Sequence, residues 1–295
     1  MKKVAFIINP ASGLRRKHSL ERKLEHYFHQ QNGWEAVFYH TTCHNDAYNA
    51  ALRYKEELFD LVVAVGGDGT VNQVACALLY SSVTMGIIPT GSGNGFARHL
   101  KIPISVSKAI DVLVQGNVAV IDSGMVNDHS FFCTAGIGFE AHLANRFNRA
   151  KFRGFLSYII LSALEFIRYR PQKYIIYAGK EVFEREAFLI TFANAAQWGN
   201  NIYIAPGADV GDGLLDLVVW KRAPIMRIPF MVIRLLTKKN KRSKYIENIR
   251  GVSFRVERID KGYVQYDGEH TIMGKELKVE VHPSSLRVVT PCSYQ

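Results

Sequence analysis

The sequence predicts an α/β domain with a mostly parallel sheet, followed by a mainly β domain of antiparallel strands. Three observations carry that prediction. The chain has 295 residues, enough for two domains of ordinary size. Up to about residue 125, short apolar runs alternate with stretches of helical period; beyond it, strand-like segments separated by turn residues dominate. No internal repeat and no Pro- or Ser-rich linker interrupts the chain, so the two domains follow one another closely.

The apolar runs at 4–8, 34–40, 61–65, 84–88 and 119–126 read as strands, with helices at 19–30, 45–57, 71–79 and 105–114 between them. Apolar runs without polar alternation fit strands buried on both faces, and the βαβα order implies a parallel sheet with helices on both sides. In the second part, 173–178, 188–193, 214–220, 251–256, 262–267, 277–282 and 286–290 read as strands. Helical stretches near 140–150 and 155–168 interrupt them.

The strand 61–65 runs into Gly66-Gly67-Asp68-Gly69-Thr70, and a helix follows at once. Glycines let backbone N–H groups approach an anion, and a helix N-terminus adds partial positive charge. The carboxyl ends of strands are also where open α/β sheets bind ligands. Asp68 within such a cradle would repel phosphate unless a divalent cation intervened, which points to Mg2+. A tight βα turn with Asp68 as helix cap is the alternative. A second loop, Pro89-Thr90-Gly91-Ser92-Gly93-Asn94-Gly95, follows the strand 84–88. A third, Asn9-Pro10-Ala11-Ser12-Gly13, follows the first strand, with Arg15, Arg16 and Lys17 behind it. Either of these two reads alone as an ordinary turn. Three such loops after three strands point to a nucleotide-phosphate site. Neither GxxxxGK[ST] nor GxGxxG is present, so the clamp is of another kind.

The net charge is +11, from 37 Lys plus Arg against 26 Asp plus Glu. Residues 1–124 net only +2, whereas nine basic and no acidic residues lie between Lys221 and Lys244. That segment carries bulky apolar residues beside its Lys/Arg cluster, the pattern of an interfacial element on an anionic membrane. A core-packing helix followed by a solvated charged loop is the bland alternative. Nucleic acid is disfavoured, because no binding signature or interleaved aromatics accompany the cluster.

No apolar run reaches the ~18 residues of a spanning helix. The N-terminal run after Lys2 and Lys3 is too short for a signal-peptide core and reads as the first strand. Cys43, Cys76, Cys133 and Cys292 form no CxxC pair and fit thiols in a reducing compartment. A soluble cytoplasmic protein is expected. The ten histidines show no metal-ligand spacing, and His99, His142 and His270 receive no role.

Asn-Pro-x-Ser-Gly, Gly-Gly-Asp-Gly-Thr-x-Asn and Gly-Ser-Gly-Asn-x-x-Ala-Arg, in this order and spacing, resemble the diacylglycerol kinase catalytic domain family, which includes soluble bacterial lipid kinases and sphingosine kinases. The resemblance spans nearly the whole chain. Gly-Gly-Asp-Gly alone is shared with NAD kinases and 6-phosphofructokinases. The resemblance implies a Rossmann-like, NAD-kinase-like nucleotide-binding domain over 1–125 and a β-sandwich lipid-acceptor domain over 126–285. The tail from about 286 to 295 returns to the first domain, and an active-site cleft lies between the two. It further implies an ATP site of Asn9, Pro10, Ala11, Ser12, Gly13, Thr41, Gly66, Gly67, Asp68, Gly69, Thr70, Val71, Asn72 and Ser92.

Two further Asp-Gly steps, Asp212-Gly213 and Asp267-Gly268, have hairpin turns as their plain reading. By the resemblance, 208–217 is a structural Mg2+ loop. Asp212 supplies a carboxylate, and Asp209 and Leu214 supply carbonyls; Asp216 reads as a hydrogen-bonding residue at a strand start. Asp267-Gly268-Glu269 resembles the catalytic signature, with Glu269 accepting the proton of the lipid hydroxyl and Asp68 acting with Mg2+. Many family members carry Asp after the residue matching Asn94; here it is Gly95, which also resembles the sphingosine kinase form. The implied activity is therefore phosphoryl transfer from ATP to a lipid hydroxyl, diacylglycerol first, with a sphingoid base and then NAD as alternatives. A nucleotide-binding membrane-surface module without catalysis is the rival of another class. Apolar residues of 155–167 read as core, with the wall of a lipid channel as the alternative. A homodimer is compatible with the sequence.

Overall fold

The computed structural model describes residues 1–12, 17–30, 33–149, 164–166, 168–238 and 243–294. Gly13, Arg15, Arg16, Lys239, Lys241, Arg242 and most of the helix expected at 155–168 lie outside the described residues. The chain divides into two compact units, Met1–Ile121 with Ser284–Gln295, and Asp122–Pro283.

The first unit holds β1 (Lys3–Ile8), β2 (Glu35–His40), β3 (Leu61–Gly66) and β4 (Thr84–Pro89), with helices α1 (Lys17–Glu25), α2 (Asp46–Glu56), α3 (Asp68–Leu78), α4 (Gly95–His99) and α5 (Val106–Gln115). The strands pair in parallel in the order β2-β1-β3-β4. Consecutive residues Val4, Ala5, Phe6 and Ile7 have no exposure, so helices cover both faces, as the unbroken apolar runs require. The strand order reverses between β1 and β3, and ligands bind open α/β sheets at such a switch point. The helix expected at 19–30 ends at Glu25 and closes in a π-turn, His26–Gln30. The short helix α4 lacks a long apolar period and was not expected.

The second unit is a sandwich of antiparallel strands. One sheet has the order β14-β13-β10-β7-β16-β17, formed by β7 (Thr134–Gly138), β10 (Leu189–Ala193), β13 (Leu215–Trp220), β14 (Ile246–Gly251), β16 (Gly262–Tyr266) and β17 (Glu269–Met273). The other contains β8 (Gln172–Ala178), β9 (Glu181–Ala187), β15 (Ser253–Arg258) and the start of β18 (Glu276–Thr290), whose residues from Ser284 on belong to the first unit. Leu215, Leu217 and Val219 of β13 join Ile176, Val256 and Val279 in the core between the sheets. Val218 and Trp220 point the other way, into a second cluster with Phe139 and Leu143 of α6 (Phe139–Arg149). β13 is therefore buried on both faces and reads as a continuous apolar run despite its antiparallel partners. This architecture bears out the predicted fold class: parallel α/β first, antiparallel β sandwich second.

Candidate functional site

In the first unit the three loops meet at the carboxyl ends of β1, β3 and β4. The Asn9 amide donates to the Val65 carbonyl at 2.9 Å, and its side-chain nitrogen donates to Thr70 Oγ1 at 2.9 Å. Its Oδ1 accepts the Ala11 N–H at 2.9 Å, which closes the turn. The Ser12 hydroxyl lies 2.8 Å from that of Thr90, and the Thr90 N–H donates to the Gly66 carbonyl at 2.9 Å. Thr41, buried at the end of β2, donates its N–H to the Ile8 carbonyl at 3.0 Å. Ser92 is exposed on the rim of the second loop, while Val71 and Asn72 are buried in α3.

The glycines permit this assembly. A Cβ on Gly91 would sit 2.5 Å from the Gly67 Cα, so two backbones touch where a side chain would hold them apart. Asn94 braces the same loop: its Oδ1 accepts the Gly91 N–H at 3.0 Å and its Nδ2 donates to the Gly91 carbonyl at 2.7 Å.

Asp68 occupies the first turn of α3, but its carboxylate serves α4. Oδ2 accepts the Asn94 N–H and Oδ1 the Gly95 N–H, each at 2.8 Å. These are N-terminal amides of α4, where a carboxylate is favourable. Burial nonetheless pushes the Asp68 carboxyl above the usual carboxylate range, with these amide bonds pulling against it. The side chain thus ties the glycine turn after β3 to the start of α4. Asp46, at the start of α2, is a second buried acid, held below the ordinary range chiefly by the Tyr39 hydroxyl at 2.7 Å and also by the Thr42 amide.

In the second unit Glu269 opens β17 at a two-residue hairpin whose register pairs it with Tyr266. Asp267 and Gly268 both have positive φ, 47° and 90°, as a type I′ turn demands. Asp267 also accepts the N–H groups of Phe132, Cys133 and Thr134 at 2.7, 2.8 and 3.0 Å. At the hairpin's base, buried Arg258 donates to the carbonyls of Gly262, Met273 and Gly274 at 2.8–2.9 Å. Glu269 therefore rides on a hairpin pinned at both ends. Behind it, Gln265 and Thr191 both donate to Glu140, and an added Cβ on Gly136 would strike that carboxylate. Enclosure pushes Glu140 up to about 8.

The loop 208–216 also lies in the second unit. Asp209 and Asp212 accept the Gly211 and Leu214 N–H groups at 3.0 Å, and Gly213 donates to Asp122 at 2.7 Å. This loop leads into β13 and makes no two-residue hairpin. Arg250 pairs with Asp212 and reaches Asp216 at 3.4 Å. A carboxylate and two backbone carbonyls are hard oxygens of the kind Mg2+ takes, and here Arg250 engages one oxygen of the Asp212 carboxylate. His142 lies 2.7 Å from Glu165, which it holds below the ordinary carboxyl range.

Sequence reasoning did not identify Thr90, Asp122, Glu140, Arg250 or Arg258, nor the anchoring role of Asp267. For Asp267 a signal existed in the Asp-Gly dipeptide, which specifies the turn. For Thr90, Asp122, Glu140 and Arg250 the partners are remote in sequence, as with the 125 residues separating Glu140 from Gln265, whereas Arg258 bonds carbonyls only 4 to 16 residues further on.

Known proteins resemble this chain in sequence and fold. Residues 3–126 match the model of the diacylglycerol kinase catalytic domain. Residues 133–290 match the YegS C-terminal NAD kinase beta sandwich-like domain. A diacylglycerol kinase of Bacillus subtilis (strain 168) is 32% identical over 279 residues, covering 92% of this chain and 90% of its own. A diacylglycerol kinase of Mycobacterium tuberculosis is 30% identical, covering 74% of this chain and 72% of its own. The crystal structure of a diacylglycerol kinase from Bacillus anthracis str. Sterne superposes with a TM-score of 0.80 at 21% identity, over 100% of this chain and 98% of that one, and shares its fold. With a family model matched over more than half its length, the chain belongs to the family of diacylglycerol kinases and YegS-type lipid kinases and is a kinase-type enzyme.

Proposed function

We propose that the protein transfers the γ-phosphoryl group of ATP, with Mg2+, to a hydroxyl of diacylglycerol. The observation that carries this reading is the convergence of three loops at the sheet's switch point, where Asp68 ties the glycine turn after β3 to the amide-rich start of α4. Backbone N–H groups and the N-terminus of α3 would hold the phosphates without requiring a basic side chain. Asn9, Pro10, Ala11, Ser12, Gly13, Thr41, Gly66, Gly67, Gly69, Thr70, Val71, Asn72 and Ser92 would frame the nucleotide. Bound Mg2+ would offset charge on the transferred group, with Asp68 facing it. The loop of Asp209, Asp212 and Leu214 would hold a structural Mg2+, for which Arg250 must yield an oxygen of Asp212.

Glu269 would accept the proton of the attacking hydroxyl. A carboxylate is a weak base toward an alcohol, so its work is positioning and late proton acceptance in a loose transition state. The pinned hairpin supplies that fixed position. Asp68 lies in the first unit and Glu269 in the second, so in this reading each unit contributes one of the two acids. The acceptor would be met at an anionic membrane face, from the cytoplasm, through the segment between Lys221 and Lys244.

Asp68→Ala and Glu269→Ala are each expected to abolish transfer of labelled phosphate to lipid, with Glu269→Ala keeping the wild-type melting temperature. Full activity in both sinks the site assignment. Gly95 in place of the Asp of many relatives favours testing a sphingoid base beside diacylglycerol and NAD in the same assay; the preferred acceptor decides among the three.

A further inference from the structure

We propose that the stretch from Met226 to Lys238 is a membrane-insertion wedge that seats on an anionic phospholipid bilayer. The helix Ile228–Leu236 is fastened from beneath by Met231 and Leu235, each 6% exposed, which join Trp220, Ala223 and Ile246 in the second cluster of the sandwich unit. A helix so anchored normally turns polar residues outward. This one exposes Met226 by 82%, Phe230 by 62%, Val232 by 46%, Ile233 by 55% and Leu236 by 50%. Phe230, Ile233 and Leu236 recur at three-residue steps and share one side of the helix. Contiguous exposed apolar surface with a charged rim marks an interaction site.

The rim decides the occupant. Nine basic and no acidic residues lie between Lys221 and Lys244. Lys238 Nζ lies 4.3 Å above the Tyr203 ring and Lys244 Nζ 5.3 Å above that of Tyr245, two amphipathic rings that pack against the same cluster as Met231 and Leu235. Such an edge suits lipid headgroups, with the ridge in the acyl region. Stable interfacial anchoring takes two signals, and apolar insertion with a polybasic patch is one such pair. A second copy of this chain fits less well. A two-fold contact sets the same patch against itself, cation against cation.

The proposal names the partner surface of the lipid-kinase reading and rests on that reading for the acceptor's location. Its test is nevertheless read without ATP. The full chain is floated with vesicles of phosphatidylcholine alone and of phosphatidylcholine with phosphatidylglycerol. Co-flotation with the anionic vesicles is expected, and Phe230→Asp with Ile233→Asp is expected to weaken it by about tenfold or more. Val252→Asp, at a 60% exposed apolar site elsewhere in the same unit, is expected to change nothing. In a Phe230→Trp variant, brominated acyl chains are expected to quench the new emission on anionic vesicles, a readout that needs no loss of folding or binding. Undiminished vesicle binding by the double Asp variant, or no quenching at Trp in place of Phe230, overturns the proposal. So does a double variant that turns a dimer into a monomer while vesicle binding persists. Vesicle binding without phosphate transfer to any lipid overturns the kinase reading alone.

Discussion

Glu140 is the acid whose environment departs furthest from water among those supporting the Glu269 hairpin. An unfolded glutamate titrates near 4.5 and this one near 8, so between those pH values the folded chain keeps a proton that the unfolded chain has released. The associated stability is complete below about pH 4.5 and is lost as pH rises through about 8. Over the whole window the loss is of order a few kcal/mol. Glu140→Gln keeps an acceptor for Gln265 and a donor toward Thr191 without the ionisation. Its melting temperature is expected to fall less than the wild type's between mildly acidic and mildly alkaline buffer, as scanning calorimetry at several pH values reads directly. Parallel curves would place the ionisation elsewhere.

The loops and hairpins show what pattern reading captures at the scale of elements. β1, β3 and β4 announce themselves as unbroken apolar runs, and the glycine loops after them mark where backbone approaches backbone. β9, with the sequence Glu-Val-Phe-Glu-Arg-Glu-Ala, was not legible as a strand. Four of its seven residues are charged, and its place at the sheet edge exposes them. β7, with Thr-Ala-Gly-Ile-Gly, is three-fifths Gly and Ala yet lies between β10 and β16, where small residues make room for the Glu140 carboxylate. Of the candidate site, the loops were readable and the bonds between them were not. Nothing local to Asp68 says that its carboxylate will cap α4, because that depends on which strands become neighbours. Gly91→Ala tests the loop contact. Its Cβ meets the Gly67 Cα and, at 2.9 Å, the Asn94 side chain, so the loops must part. The KM for ATP is expected to rise at least about tenfold, the equivalent of ~1.4 kcal/mol of lost nucleotide binding, with a smaller change in kcat. Titration with a fluorescent nucleotide checks this, and unchanged affinity would detach the contact from nucleotide binding.

Charge is a property of the whole molecule, and here it is unevenly placed. The first 124 residues net +2 and would bind a polyphosphate through amides and Mg2+, whereas one 24-residue segment carries nine positive charges and no negative one. No described helix is long and apolar enough to cross a membrane. Of the nine, Lys221 already faces Glu247 at 3.6 Å, which leaves the cluster from Lys238 onward with most of the long-range field. Neutralising Lys238, Lys239, Lys241 and Arg242 removes four charges, each worth about 1 kcal/mol near an anionic leaflet. Anionic-vesicle binding is expected to weaken by two orders of magnitude or more at low salt and to lose most of its salt dependence, since screening acts within about 10 Å at 0.1 M. Turnover of detergent-dispersed lipid is expected to stay at the wild-type rate, because in this reading none of the four belongs to the nucleotide loops or the Glu269 hairpin. Apolar wedge variants should behave differently, weakening binding at every salt concentration. A salt series on both variants against anionic vesicles therefore separates attraction from insertion, and identical salt curves would mean that the two features are not the two signals of one anchor.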